Sequence, residues 1–185
     1  NEEADIYRGT RLLMHQPYSA RLYPLDGVSF HGKVCYNREA SMDRMERPDG
    51  QELRLTEDAG NILWIRPCVG MTYPQAGPQV RAVLHDSYHS GTIAVNAGLE
   101  EFAGRMEQAG IPVYLTGASS GEAEYETVRM YEQYGIRVLP KMSLIAAYCK
   151  LWLALSNDLD VNSIMNTCIA EDIIQVGNCE TLKFL

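Results

Sequence analysis

Residues 80–117, VRAVLHDSYHSGTIAVNAGLEEFAGRMEQAGIPVYLTG, change their hydrophobic period twice within one stretch. Val80 to His85 form a short apolar run of the length a buried strand needs. After a polar interval, Leu99, Phe102, Ala103 and Met106 recur at i, i+3, i+4 and i+7, which places them on one face of a helix. Gly110 is a stop signal, and IPVYLTG (111–117) is the next strand. Strand, helix, strand within about forty residues is the signature of a parallel crossover unit.

The same alternation continues on both sides of this unit. Upstream, NILWIRPCVG (61–70) is an apolar strand followed by the punctuated loop GMTYPQAGP. Downstream, EAEYETVRMYEQYG (122–135) predicts a helix with Tyr125, Val128 and Tyr131 on one side and Gly135 as its end, and IRVLP (136–140) a fourth strand. SLIAAYCKLWLALSN (143–157) is apolar almost all round, with Ser143 as a plausible N-cap and Lys150 as its one charge, so it predicts a helix buried on most sides. DLDVNSIMNTC (158–168) predicts a last short helix with Val161, Ile164, Met165 and Cys168 inward. The expected fold is α/β: a three-layer sandwich of about four parallel strands flanked by helices.

The N-terminal part has a different texture. Short extended segments are expected near Asp5 to Arg8 and Val28 to Tyr36, separated by Pro17, Pro24 and the Asp26-Gly27 turn signal. Residues 37–60 carry eleven charges in twenty-four positions around Pro48-Asp49-Gly50, a solvated excursion. The chain therefore divides into an extended arm, linker and charged excursion (1–60), an α/β domain (61–170) and a tail (171–185). Its first residue, Asn1, is read as lying inside a longer gene product.

Composition narrows the functions. A formal charge of −8, from 16 basic and 24 acidic residues, works against an electrostatic grip on nucleic acid or an anionic membrane, and no apolar run is long enough to span a bilayer. Cys35, Cys68, Cys149, Cys168 and Cys179 are widely spaced with no Cys-x-x-Cys pair. They read as reduced thiols, with Cys68 and Cys149 packing as small hydrophobes, and they fit a cytoplasmic location. Small-molecule chemistry or protein contacts are the expected business of the chain.

In such sheets ligands meet the loops at the carboxyl ends of the strands. HDSYHSGT (85–92) and TGASSG (116–121) occupy two of those positions. His85, Asp86 and His89 suggest a metal site by spacing alone, but the segment straddles a strand end and a loop rather than a helix, and no metal is expected. Gly117-Ala118-Ser119-Ser120-Gly121 fits Gly-x-Ser-x-Gly between a strand and a helix, so a serine hydrolase using Ser119 or Ser120 with His89 and Asp86 stays open. Thr116, Gly117, Ser119 and Ser120, opening a helix, could equally hold a small anion through backbone N–H groups. His15 and His31 read as surface residues.

Five short segments in order resemble the bacterial-type L-asparaginases, and specifically their C-terminal domain. YRGTR resembles the Arg-Gly-x-Arg after the first domain, and IRPCVGMTYP the strand and turn that open the second. VRAVLHDSYHSGT resembles the strand and Gly-x-Gly-Asn loop, GIPVYLTGASSGEAEYETVRMYEQYGI the next strand, loop and helix, and KMSLIAAYCKLWLALSN the Asp-Met-Thr helix. The likeness runs from Tyr7 to Asn157. It implies an amidohydrolase that converts L-asparagine to aspartate and ammonia through a threonine nucleophile, without metal or organic cofactor. In this family the nucleophile and its activating Thr-Asp and Lys belong to the N-terminal domain, whose motifs these 185 residues do not contain. The implied partners are that N-terminal domain and a second copy, in a homodimer or tetramer, and the isolated chain is expected to be inactive.

The resemblance also implies a role for the loop of residues 89–92. In the family its Asn approaches the neighbouring subunit's substrate; here Thr92 stands in that position, with Gly91, Ser90 and His89 before it. A hydroxyl is a shorter donor and acceptor than a carboxamide, so the preference between asparagine and glutamine stays open. Glu122, Glu124 and Glu126 are alternatives for a second contribution to that site. A loop that carries an effector-site cysteine in some relatives is Thr116-Gly117-Ala118 here, without the cysteine. The alternative function is a non-catalytic module on the same fold that binds a small carboxylate.

Overall fold

The computed structural model describes residues 3–7, 9–13, 23–24, 30–35, 54–56, 61–88, 90–117, 126–169 and 172–173. In the N-terminal part, β1 (Glu3–Tyr7) pairs antiparallel with β4 (Phe30–Cys35), and β2 (Leu12–Leu13) with β3 (Tyr23–Pro24). The two extended segments expected there pair with each other as β1 and β4, while the β2–β3 ladder lies in the stretch read as linker. The central sheet is formed by β5 (Ile62–Ile65), β6 (Ala82–His85), β7 (Val113–Leu115) and β8 (Ile136–Val138), all parallel and in chain order. Register aligns Ile65 with His85 and His85 with Leu115, so the carboxyl ends of three neighbouring strands finish together.

Helices cover both faces, which is the three-layer architecture expected from the sequence. On one face, α1 (Ala97–Gln108) and α2 (Glu126–Gln133) lie on Ile65, Val83, Val113, Leu115 and Ile136. The predicted stripe of α1 is the buried one: Leu99, Phe102, Ala103 and Met106. Each large side chain in it contributes roughly 1.5–3 kcal/mol by leaving water. Asn96 caps the helix by accepting the Leu99 N–H, at 3.0 Å. On the other face, α3 (Leu144–Ser156) and α4 (Val161–Asn166) pack against Ala82, Leu84 and Tyr114. Ser143 caps α3 as expected and also donates to the Thr10 carbonyl, tying the N-terminal part to the domain.

Two expectations are corrected. Cys68 and Cys149 are exposed, because Cys68 lies in the turn after β5 and Cys149 falls opposite the buried face of α3, which is Ala146, Ala147, Lys150, Leu151, Ala154 and Leu155. Cys168 is exposed as well, just past the end of α4, while Met165 fills the core. Residues 54–56 are the described part of the charged excursion, and they lean on the end of α3, where Asn157 accepts from the Arg54 N–H and donates back to its carbonyl. Among the described residues no helix is long and apolar enough to cross a membrane.

The single charge of α3 is buried with a partner supplied by the region read as tail. Lys150 Nζ lies 2.7 Å from Asp172 Oδ2, with the two side chains 4% and 3% exposed, and it also donates to the Thr167 carbonyl. Asp172 Oδ1 accepts the Ile169 N–H, so both carboxylate oxygens are used. Removing one member strands the other's charge, which costs about 3–5 kcal/mol, whereas replacing both with apolar residues of similar volume is far cheaper. Urea unfolding should therefore show Asp172→Ala losing about 3–5 kcal/mol, and Lys150→Met with Asp172→Leu losing markedly less.

Candidate functional site

Three consecutive connections emerge at the aligned carboxyl ends of β5, β6 and β7. Each is held by a bond to its neighbour. The Asp86 N–H donates to the Ile65 carbonyl at 2.8 Å, and the Thr116 N–H to the His85 carbonyl at 2.9 Å, extending the ladder one step past the strands. The Asp86 carboxylate accepts the Ser87 N–H at 2.9 Å and lies 3.4 Å from Thr116 Oγ1. Gly117 follows with φ of 77°, and a Cβ there would meet Ser87 Oγ at 2.2 Å. The left-handed backbone favours glycine there, and any side chain would have to displace the Ser87 hydroxyl.

His85 is fully buried, and both of its ring nitrogens are engaged. Nδ1 is 2.5 Å from the Asp86 carbonyl and Nε2 is 3.1 Å from the Tyr73 hydroxyl. A carbonyl can only accept, so Nδ1 carries the proton; burial lowers the imidazole below its usual range and keeps the ring neutral, so Nε2 accepts and Tyr73 donates. Burial also pushes the Tyr73 hydroxyl up to about 12, with Tyr88 and Tyr131 adding to the shift. Tyr73 stacks on Phe102 of α1 with ring centroids 4.8 Å apart. The imidazole is therefore a structural anchor for the connection after β5, and it offers no lone pair to a metal. Among the described residues no group of His, Cys, Asp and Glu is disposed to hold a metal ion.

The loop after β6 is a small closed unit. Tyr88 N–H donates to the Thr92 carbonyl at 2.9 Å, and Gly91 N–H donates back to the Tyr88 carbonyl at 2.8 Å, with Gly91 at φ of 75°. The Ser90 and Thr92 hydroxyls are 2.8 Å apart. At its base the loop is pinned from α2: the Tyr131 hydroxyl accepts the Ile93 N–H at 2.8 Å and donates to the Ile93 carbonyl at 3.1 Å. The Tyr88 hydroxyl donates to the Cys68 carbonyl, 3.3 Å away, joining this loop to the turn after β5.

Of the residues singled out from sequence, Ser90, Gly91 and Thr92 are brought together, Ser90 exposed and the other two partly so. Thr116 is buried and serves the sheet, and Gly117 is exposed beside Ser87. His89, Ser119, Ser120, Glu122, Glu124 and the histidine at 15 lie outside the described residues, as do the side chains of Glu126 and His31. Tyr73, in the punctuated loop, and Tyr131, on one side of the predicted helix, are not among the site residues expected from sequence, yet both organise the edge. The cleft beside the loop, with Cys68, Met71, Tyr73, Tyr88, Ile93 and Asn96 in its walls, has a volume of about 110 Å³. That is room for about four waters, well under the 300 Å³ at which small-molecule pockets begin. No protein-family model matches the chain, and no curated protein matches it in sequence.

Two measurements test this geometry. An unfolded histidine titrates near 6.5 and the folded one lower, so the unfolded state binds more protons in between, and stability falls as pH drops through that window. The urea midpoint of His85→Gln should lose that acid-side slope while the unsubstituted chain keeps it. Tyr131→Phe leaves the Ile93 N–H and carbonyl without their partner, which should lower stability by about 1–3 kcal/mol and speed hydrogen exchange at the Ile93 amide.

Proposed function

We propose that this chain is the C-terminal α/β domain of an asparaginase-type amidohydrolase, acting on the amide of L-asparagine. The observation that carries this reading is the strand order. Parallel sheets hold ligands where the order of strands reverses and neighbouring loops part to opposite faces. Here β5, β6, β7 and β8 follow one another without reversal, and the three crossovers between them all pack on the α1 face. The polar edge at residues 85–88, 90–92 and 116–117 rests on strands whose order does not reverse, and the cleft beside it is small, so in this reading a second body completes the substrate site. A domain that lends an edge to a site built elsewhere fits both this topology and the resemblance of its ordered segments.

In the proposed reaction the nucleophile comes from the N-terminal domain. A threonine alkoxide adds to the side-chain amide carbon, ammonia leaves with a proton, and water hydrolyses the resulting ester to aspartate. Thr92 takes the place of a substrate-facing carboxamide. Its hydroxyl, already paired with Ser90, can donate to a substrate carboxylate or accept from its ammonium group. The hydrogen bonds that tie Tyr88 to Gly91 and Thr92 reduce what is lost in ordering Thr92 when substrate arrives. Dimerisation in this reading brings Thr92 to the neighbouring subunit.

Ammonia release from L-asparagine provides the test. The gene product that carries this chain together with upstream sequence is expected to turn over, and the 185-residue chain alone to release none. In the active protein, Thr92→Ala should lower kcat/KM by about tenfold, the worth of one hydrogen bond to a charged group, and Thr92→Asn should retain activity. Turnover by the isolated chain, or full activity in Thr92→Ala, overturns the reading; a saturable carboxylate ligand with no turnover in either protein favours the binding-module alternative.

A further inference from the structure

At the opposite edge of the sheet, where β7 and β8 begin, a cavity of about 530 Å³ opens between the ends of α1 and α2 and the turn joining α3 to α4. Its volume lies within the range of small-molecule sites. Met106, Ile111, Pro112, Val113, Leu159 and Val161 give it apolar walls. Its polar members are the inaccessible Tyr114, the half-buried Tyr134 and the exposed Glu107, Arg137, Asp160 and Asn162.

Arg137 is unusual in a chain with 24 acidic residues against 16 basic ones. Its Nη1 donates to the Tyr114 hydroxyl at 3.2 Å and to Asn162 Oδ1 at 3.5 Å, with the guanidinium carbon 5.7 Å from the Tyr114 ring centroid. Among the described residues no carboxylate comes within ion-pair distance of it. The Nε and Nη2 edge, which takes a carboxylate through two parallel hydrogen bonds, has no partner there either. Tyr114 itself is inaccessible, and its hydroxyl, by accepting from Arg137, holds the guanidinium in place from behind. Asp160 uses Oδ1 to cap α4 through the Ser163 N–H, which leaves its other oxygen, and Glu107 is exposed on the α1 side.

A ligand that satisfies these groups needs a carboxylate, a cationic centre and an apolar body. A simple carboxylate on Arg137 would also meet the repulsion of Asp160 and Glu107; a zwitterion turns that repulsion into attraction. We propose that this cavity binds an α-amino acid with an apolar side chain, its carboxylate on the Arg137 fork, its ammonium group facing Asp160 and Glu107, and its side chain on the apolar walls. The site is separate from the Thr92 loop, so it stands or falls independently of the asparaginase reading.

Calorimetric titration of the 185-residue chain with L-phenylalanine, 3-phenylpropionate and phenethylamine tests it. L-Phenylalanine is expected to bind saturably at one site, with the two analogues weaker by about tenfold or more. Arg137→Lys, which keeps a charge but loses the fork, should weaken L-phenylalanine by about tenfold, and Tyr114→Phe several-fold. Asp160→Asn, which preserves a capping side chain, should erase the preference over 3-phenylpropionate. Arg66→Gln, at the other end of the sheet, should change nothing, and thermal midpoints near that of the unsubstituted chain establish that the variants fold. Absence of L-phenylalanine binding at millimolar concentration, unchanged binding in folded Arg137→Lys, or equal binding of 3-phenylpropionate overturns the proposal.

Discussion

A histidine that ends a strand buried on both faces must find hydrogen bonds inside the protein or leave polar atoms stranded. Ala82, Val83, Leu84 and His85 are all inaccessible, so β6 delivers an imidazole into the apolar layer beneath α1. An unpaired nitrogen there would cost about 1–3 kcal/mol. Tyr73 meets the need on one side and the Asp86 carbonyl on the other. The long connection between β5 and β6 is thereby held onto the sheet, and Phe102 holds Tyr73 in turn. The position of the Tyr88 loop, and through it Thr92, follows from this arrangement.

The two ends of the sheet answer to different physics. The carboxyl edge is pre-tied, with most of its described polar groups hydrogen-bonded to one another, the Ser90 and Thr92 hydroxyls among them. The amino edge is open and carries a guanidinium held by neutral groups. Burial of the Lys150 and Asp172 pair adds a third regime, in which charge is fully satisfied and works as a clasp for the segment after α4.

Much of the fold was legible because period and burial coincide in it. The α1 stripe, the Ser143 cap and the four short apolar runs each follow from local pattern alone. What pattern could not give were pairings across long separations. Tyr73 looked like a loop residue between Pro and Gly punctuation, and its hydroxyl finds His85 only in three dimensions. Asp172 stood in a featureless tail, although an isolated Lys150 in an apolar helix demanded an acid from somewhere. The cysteines failed for a related reason: an apolar run does not say which side of a helix faces in, and Cys149 is on the outer one. For the site, Asn96 before the α1 stripe was a readable cap signal, while the dual role of the Tyr131 hydroxyl had no sequence mark at all.

That hydroxyl also fixes a sequence of events in time. Ile93 and Tyr131 are 38 residues apart, and between them lie α1, β7 and the start of α2. Closing so long a segment is entropically expensive until the intervening elements have docked. The loop that carries Thr92 can therefore reach its final shape only as a late step of chain assembly, after the layer beneath it is complete.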